Sequence, residues 1–111
     1  MKILAGSSGT GKTTELIKRC AESDKLCYIV VHSFDEAHRV HQISIDMGLH
    51  IPFPLTYNEV VNRRYPIHAS LYIDNLDKWL DLYTPRNVEL ASIRSDNISI
   101  WNGKEEVMSR S

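Results

Sequence analysis

Residues 6–13 read GSSGTGKT, and they match the pattern G-x-x-x-x-G-K-[ST] at every specified position. This pattern is typical of a loop that cradles phosphate groups with its backbone N–H groups, which requires positive φ angles that glycine adopts without a steric clash. An apolar run at residues 2–5 precedes the loop, and Leu16, Ile17 and Cys20 follow it at helical spacing. A strand before the loop and a helix after it are the setting in which this pattern binds phosphate.

The individual positions of the motif predict how a nucleotide would be held. The loop and the first turn of the helix offer unpaired backbone N–H groups and a partial positive charge to the phosphates. The Lys12 ammonium is expected to contact the β- and γ-phosphates, and the Thr13 hydroxyl to ligate Mg²⁺. The predicted nucleotide-binding residues are Gly6, Ser7, Ser8, Gly9, Thr10, Gly11, Lys12, Thr13 and Thr14.

A second metal ligand is expected at the end of another buried strand. Residues 69–73 have the pattern of such a strand, and Asp74 follows them directly. An aspartate in this place holds Mg²⁺ together with the loop hydroxyl in phosphoryl-transfer sites. Three interpretations of Asp74 stay open: a metal ligand, a plain strand end, or the N-cap of the following helix. Thr13 and Asp74 are therefore the candidate metal ligands.

Strand-like and helix-like segments alternate along the chain, which predicts an α/β fold. Ser33 and Glu36 fit a helix capping box, with Ala37 and Val40 on the inward stripe of that helix. Strands are predicted at residues 2–5, 25–31, 54–56, 69–73, 87–94 and 97–101, and helices at 12–23, from Ser33 to Gly48, at 58–64 and at 75–82. We expect a single minimal domain over residues 1–101 and a frayed tail over residues 102–111.

Composition excludes several classes of protein. The chain has 111 residues and a formal net charge of -1, and neither half is basic, so the charge balance does not support a dedicated nucleic-acid binder. Cys20 and Cys27 lack the spacing of a zinc or redox site, which predicts reduced packing residues. No leader or membrane-spanning pattern occurs in the sequence. We therefore expect a cytoplasmic protein that does not interact with membranes.

Three segments resemble short P-loop ATPases encoded by phages and prophages. They are GKTTELIK at residues 11–18, YIVV at residues 28–31 and MGLHIPFPLTY at residues 47–57, followed by the strand that ends at Asp74. The order of these segments also resembles the first half of helicase-type ATPases, and the resemblance covers roughly residues 1–101. It implies a three-layer, RecA-like P-loop NTPase fold with a mostly parallel central sheet of about five strands, and it favours ATP with Mg²⁺ as the ligand.

Asn75 departs from the pattern of many P-loop ATPases, which have a glutamate directly after the metal-binding aspartate. An amide can orient the attacking water but cannot accept its proton, so fast autonomous hydrolysis is not expected. Type II thymidine kinases carry a similar GKTTELIKR segment, but they are longer and have four zinc-binding cysteines, whereas this chain has two cysteines. A thymidine kinase is therefore not expected.

Arginines and histidines are the remaining candidates for a site. Arg94 ends a predicted strand beyond the acidic one, so it is a candidate to face the γ-phosphate or to serve a neighbouring subunit as an arginine finger. Arg63, Arg64 and Arg86 are weaker candidates for contacts with phosphate or nucleic acid, or for the same arginine finger. The five histidines lack the spacing of a metal site. The candidate catalytic residues are Lys12, Asp74, Asn75 and Arg94.

These observations predict an ATP–Mg²⁺-binding protein that acts as a weak ATPase or a nucleotide-gated switch in phage or prophage biology. A single domain leaves one side of the γ-phosphate open, so we expect a second subunit or a protein partner to complete the site. The alternative is a non-hydrolysing module that binds a host or replication protein. A small-molecule kinase is a third hypothesis, although the sequence has no segment dedicated to an acceptor pocket or a lid.

Overall fold

The computed structural model describes residues 1–7, 9, 11–86, 88–93 and 98–108. Strands and helices alternate along these residues, which confirms the predicted α/β class. Within the described part, no helix is long and apolar enough to cross a membrane. The elements are β1 Ile3–Ala5, α1 Lys12–Glu22, β2 Cys27–Val31, α2 Phe34–Asp46, β3 Leu55–Thr56, α3 Tyr57–Val61, β4 Ser70–Ile73, α4 Leu76–Tyr83, β5 Ile98–Trp101 and β6 Glu106–Met108.

The chain divides into two compact units: residues 13–87 form one, and residues 1–12 together with 88–111 form the other. In the unit of residues 13–87, β2 lies between β3 and β4 and pairs with both in parallel. Parallel neighbours need crossover connections, which α2 and α3 provide. Because all three strands run in the same direction, their carboxyl ends lie at the same edge of this sheet.

The apolar core of this unit surrounds β2. Helix α1 contributes Ile17 and Cys20, and α2 contributes Ala37 and Val40. Four of the five residues of β2 are buried, including neighbours that point to opposite faces of the sheet. This burial confirms that β2 is a strand covered on both faces, as its unbroken apolar sequence predicts.

Side-chain caps define where two of the helices begin. The Ser33 hydroxyl accepts a hydrogen bond from the Glu36 backbone N–H at 3.2 Å, which confirms the predicted cap of α2. A second capping box was not predicted. The Thr56 side chain accepts from the Glu59 N–H, and the Glu59 carboxylate accepts from the Thr56 N–H at 3.0 Å. Because this box starts at Thr56, α3 begins at Tyr57, one residue before its predicted start.

The other unit contains a mixed sheet in which β5 lies between β1 and β6. Strand β1 pairs with β5 in parallel, and β6 pairs with β5 antiparallel. The prediction of a frayed tail from residue 102 is therefore wrong for residues 102–108, which close a hairpin. The Asn102 side chain accepts from the N–H groups of Lys104 and Glu105, each at 2.9 Å, and this contact stabilises the turn.

The predicted strand at residues 87–94 is wrong for residues 88–93, which have no regular structure. Leu90 is 91% exposed, so the apolar side chains of this segment do not contribute to a core. A strand needs a neighbour for its backbone N–H and C=O groups, and within the described residues both edges of β5 pair with β1 and β6 instead. Asn87 and Arg94 lie outside the described residues.

The number and grouping of the strands also differ from the expectation of about five strands in one mostly parallel sheet. The described residues form six strands in two sheets of three, in the orders β1-β5-β6 and β3-β2-β4. The second sheet is entirely parallel, whereas the first contains the antiparallel β5–β6 pair. The unpredicted strand is β6, because its three residues are too few to show a strand pattern.

Replacing Ile17 by alanine should lower the free energy of unfolding by about 2–4 kcal/mol, because the side chain is fully buried between α1 and β2. Ile45→Ala is the matched control on another helix, since Ile45 is 54% exposed; it should change the value by less than about 1 kcal/mol. Urea denaturation of both variants measures the difference. Equal changes in the free energy of unfolding for the two variants would contradict the core described above.

Candidate functional site

The glycine-rich loop lies between β1 and α1, as the motif predicts. Gly9 and Gly11 have φ angles of 80° and 77°, in the left-handed region that most residues avoid. A Cβ atom at either position would meet no described residue within 4 Å, so the positive φ angle favours glycine here. Ser8 and Thr10 lie outside the described residues.

The Lys12 side chain folds back onto the start of the loop. Its Nζ donates hydrogen bonds to the backbone carbonyls of Gly6 at 2.7 Å and Ser7 at 2.8 Å. These contacts hold a positive charge against the segment that the motif assigns to phosphate binding. The two carbonyls accept hydrogen bonds from the ammonium group but do not neutralise its positive charge.

Thr13 and Asp74 are brought together although they lie 61 residues apart. The Thr13 hydroxyl donates to Oδ2 of Asp74 at 2.7 Å. Thr13, Ile17 and Cys20 share one face of α1, because positions i, i+4 and i+7 align along a helix. The packing of Ile17 and Cys20 in the core therefore also directs the Thr13 hydroxyl toward the end of β4.

The Asp74 carboxylate belongs to a residue that is only 5% exposed. The Asp74 backbone N–H donates to the Val30 carbonyl at 3.0 Å, which extends the pairing of β4 with β2 by one residue. A buried carboxylate is costly unless hydrogen bonds or cations compensate its charge. The Thr13 hydroxyl supplies one such compensation, and a bound cation would supply a stronger one.

The chemistry of this donor pair fits Mg²⁺. Mg²⁺ prefers hard oxygen ligands and is usually bound by one or two carboxylates together with phosphate oxygens and water. The hydroxyl of Thr13 and the carboxylate of Asp74 are two such oxygens in direct contact. No group of three or more His, Cys, Asp or Glu side chains suited to a metal occurs among the described residues. The pair supplies two of the oxygen ligands that Mg²⁺ would need.

Asn75 occupies the N-cap position of α4 with φ 61° and ψ 65°, a left-handed conformation that asparagine tolerates better than most residues. Its side chain is exposed and makes no capping hydrogen bond. Its carbonyl accepts from the N–H groups of Lys78 at 3.0 Å and Trp79 at 3.2 Å. Because Asn75 takes the N-cap position, the interpretation of Asp74 as the cap of this helix is wrong.

Tyr57 is a residue of this region that the sequence analysis did not identify. It is 1% exposed, and its hydroxyl donates to the backbone carbonyls of Asp74 and, at 3.0 Å, Asn75. Burial and the nearby charge of Asp74 raise the pKa of Tyr57 to about 12, so the hydroxyl remains protonated at neutral pH. Its position directly after β3 was the available signal, because β3 and β4 end at the same edge of the sheet.

A pair of charges on α2 also influences the Asp74 region. Glu36 and Arg39 form an ion pair, and this contact lowers the pKa of Glu36 and raises the pKa of Arg39. The charge of Asp74 adds a smaller contribution that raises the pKa of Arg39. Both effects keep the charged forms in place at neutral pH, so a cation on α2 partly offsets the charge of Asp74.

The remaining candidate residues differ in their exposure. Arg63, Arg64 and Arg86 are exposed, and Arg94 lies outside the described residues. Thr14 is a half-buried residue of α1. Cys20 and Cys27 are buried free thiols, as predicted. Among the histidines, His38 and His41 pack against the ring of Phe53, with ring centroids 5.0 and 5.3 Å apart.

Comparisons of this chain with known proteins found no relative. No family model, no curated protein and no solved structure matches the chain. The loop motif and the contacts described above are therefore the features that indicate a function.

Replacing Thr13 by valine should lower the free energy of unfolding by about 1–3 kcal/mol without Mg²⁺, because the buried Asp74 carboxylate would lose a hydrogen-bond donor. Thr13→Ser keeps the hydroxyl and should cost about 1 kcal/mol or less. Denaturation in the presence of a chelator measures both variants.

The same contact predicts strong coupling between the two positions. In an Asp74→Ala background the Thr13 hydroxyl has lost this acceptor, so Thr13→Val should then be close to neutral. A double-mutant cycle with these substitutions measures the coupling. Additive effects would show that the hydroxyl and the carboxylate do not interact in solution.

Proposed function

We propose that this protein binds ATP and Mg²⁺ as a P-loop protein of the RecA-like class. The observation that carries the proposal is the 2.7 Å hydrogen bond from Thr13, the last residue of the loop motif, to the buried carboxylate of Asp74. In this proposal the loop from Gly6 to Thr14 and the Lys12 ammonium bind the phosphates. Thr13 and Asp74 hold the metal.

The conformation of the loop supports the assignment to phosphate. Gly9 and Gly11 have positive φ angles, which also occur in backbone concavities that bind anions. Lys12 is the first residue of α1, where the helix dipole favours negative charge. The Lys12 ammonium, which now donates to loop carbonyls, adds a full charge to this environment. These features would attract an anion, and Thr13 and Asp74 would hold the Mg²⁺ that accompanies it.

We propose, together with this function, a three-layer P-loop NTPase fold with a mostly parallel central sheet. Three strand pairs support it, because β1 with β5, β2 with β3 and β2 with β4 are all parallel. The glycine-rich loop joins a strand to a helix, and a second parallel strand ends in the acidic residue.

The position of Asn75 favours slow hydrolysis or a nucleotide-gated switch. Its amide can orient a water molecule but cannot take up a proton from it. We therefore propose that a second copy of the chain or a protein partner completes the site for turnover, and Arg94 remains the candidate residue to face the γ-phosphate. We propose, on the resemblance to short phage and prophage ATPases, that this activity occurs in the cytoplasm, that of the host where the chain is phage-encoded.

A second candidate is a non-hydrolysing interaction module that acts on a host or replication protein. The exposed Asn75 in the position after the acidic residue favours it, because a protein that only binds the nucleotide needs no base there. This second candidate function uses the same nucleotide site as the first, but the protein would not hydrolyse the nucleotide.

Titration calorimetry of ATP and ADP with Mg²⁺ tests the proposal. The wild type should bind both nucleotides, and Lys12→Ala should weaken the binding of ATP by about 10- to 100-fold, the value of one charge-assisted hydrogen bond. Lys18→Ala is the matched control, since Lys18 is an exposed lysine of the same helix outside the motif; it should bind as the wild type does.

Phosphate release on the same samples separates the two candidates. Slow release that rises with protein concentration supports an ATPase completed by a second copy, whereas binding without release supports the interaction module. Fast turnover by a strict monomer would contradict the need for a partner. Absence of binding by the wild type would contradict the proposal as a whole.

A further inference from the structure

Two carbonyls of the turn between β4 and α4 accept hydrogen bonds from one buried hydroxyl group, that of Tyr57. After Asp74 the chain reverses through the left-handed Asn75, and α4 begins one residue later. The carbonyls on either side of this reversal, those of Asp74 and Asn75, both accept from the Tyr57 hydroxyl. One O–H proton is therefore shared between two consecutive peptide groups, which restricts the rotation of both.

The Tyr57 ring is itself held in a fixed place. Its centroid lies 5.0 Å from that of Trp79 and 6.4 Å from that of Tyr83, both on α4. His32, directly after β2, contacts it edge-on with ring centroids 6.5 Å apart. The Thr56–Glu59 capping box fixes the start of α3, where Tyr57 is the first residue. The hydroxyl therefore reaches the turn from a rigid support.

Burial makes this hydroxyl dependent on the two carbonyls. At 1% exposure water cannot replace a lost partner, and an unpaired buried hydroxyl is costly. No buried side-chain nitrogen or oxygen without a partner occurs among the described residues.

We propose that Tyr57 is a positioning residue for the metal site: its hydroxyl fixes the Asp74–Asn75 turn so that the Asp74 carboxylate stays directed at Thr13. This inference rests on the proposed function, because it assigns Tyr57 a role toward the Mg²⁺ that Thr13 and Asp74 would share. Tyr57 does not touch the metal or the phosphates in this scheme. It acts through the backbone of the residue that does.

The test compares ADP affinity with and without Mg²⁺, which needs no hydrolysis. In the wild type Mg²⁺ should strengthen the binding of ADP, and Asp74→Ala should abolish this increment. Tyr57→Phe, which removes only the hydroxyl, should reduce the Mg²⁺ increment by about fivefold, in the range expected for one hydrogen bond. The affinity for ADP without Mg²⁺ should stay within about threefold of the wild type.

Two controls separate the hydroxyl from the packing of the ring. The Tyr83 hydroxyl belongs to the same aromatic group but has no hydrogen bond to any described residue. Tyr83→Phe removes this hydroxyl, and it should leave the Mg²⁺ increment in ADP affinity unchanged. Trp79→Phe alters the ring that packs on Tyr57 but keeps the Tyr57 hydroxyl, so it should retain most of the increment. Loss of the increment in Trp79→Phe but not in Tyr57→Phe would overturn the inference.

A measurement without nucleotide tests the turn itself. The amide hydrogens of Lys78 and Trp79 donate to the Asn75 carbonyl, so they should exchange at least about fivefold faster in Tyr57→Phe, while amides of β2 keep their rates. Unchanged exchange, or an equal loss of ADP affinity with and without Mg²⁺, would overturn the positioning role. Failure of the wild type to bind ADP would instead contradict the proposed function, and the metal role of Tyr57 with it.

Discussion

The hydrogen bond between Thr13 and Asp74 joins the packing of the core to the chemistry of the candidate site. A carboxylate that is 5% exposed needs compensation, and the first turn of α1 provides a hydroxyl at 2.7 Å. The same helix face buries Ile17 and Cys20 against β2. Apolar burial therefore sets the rotation of α1, and that rotation directs the Thr13 hydroxyl. Neither the core nor the oxygen pair can be changed without affecting the other.

Parallel pairing explains why polar groups collect around this contact. Strands β2, β3 and β4 end at one edge of their sheet, and each is followed by a residue with hydrogen-bonding capacity: His32, Tyr57 and Asp74. Two of the helices that leave this edge need partners for their first N–H groups, which the side chains of Ser33 and Thr56 supply. At the start of α4 the cap position is held by a left-handed backbone and a tyrosine hydroxyl instead.

Local patterns predicted those features whose physical cause lies within a few residues. The loop motif places Gly9 and Gly11 where positive φ angles are needed, the apolar run of β2 indicates burial on both faces, and Ser33 caps α2 as its spacing with Glu36 predicts. The same patterns were wrong at residues 88–93, where apolar residues find no pairing partner. They also missed β6, which is held by its ladder with β5 and by the contact of Glu106 with Ser99 at 2.8 Å.

The sequence by itself determined the glycine-rich loop, the amphipathic face of α1 and the acidic residue after β4, because each depends on residue type and short spacing. Only the tertiary structure decided that the Asp74 carboxylate meets Thr13 and that the Tyr57 hydroxyl bonds to the turn after it. These contacts join positions 61 and 17 residues apart. Which distant groups meet is set by the order of strands in the sheet and by the rotation of the helices, and both result from burying the whole core at once.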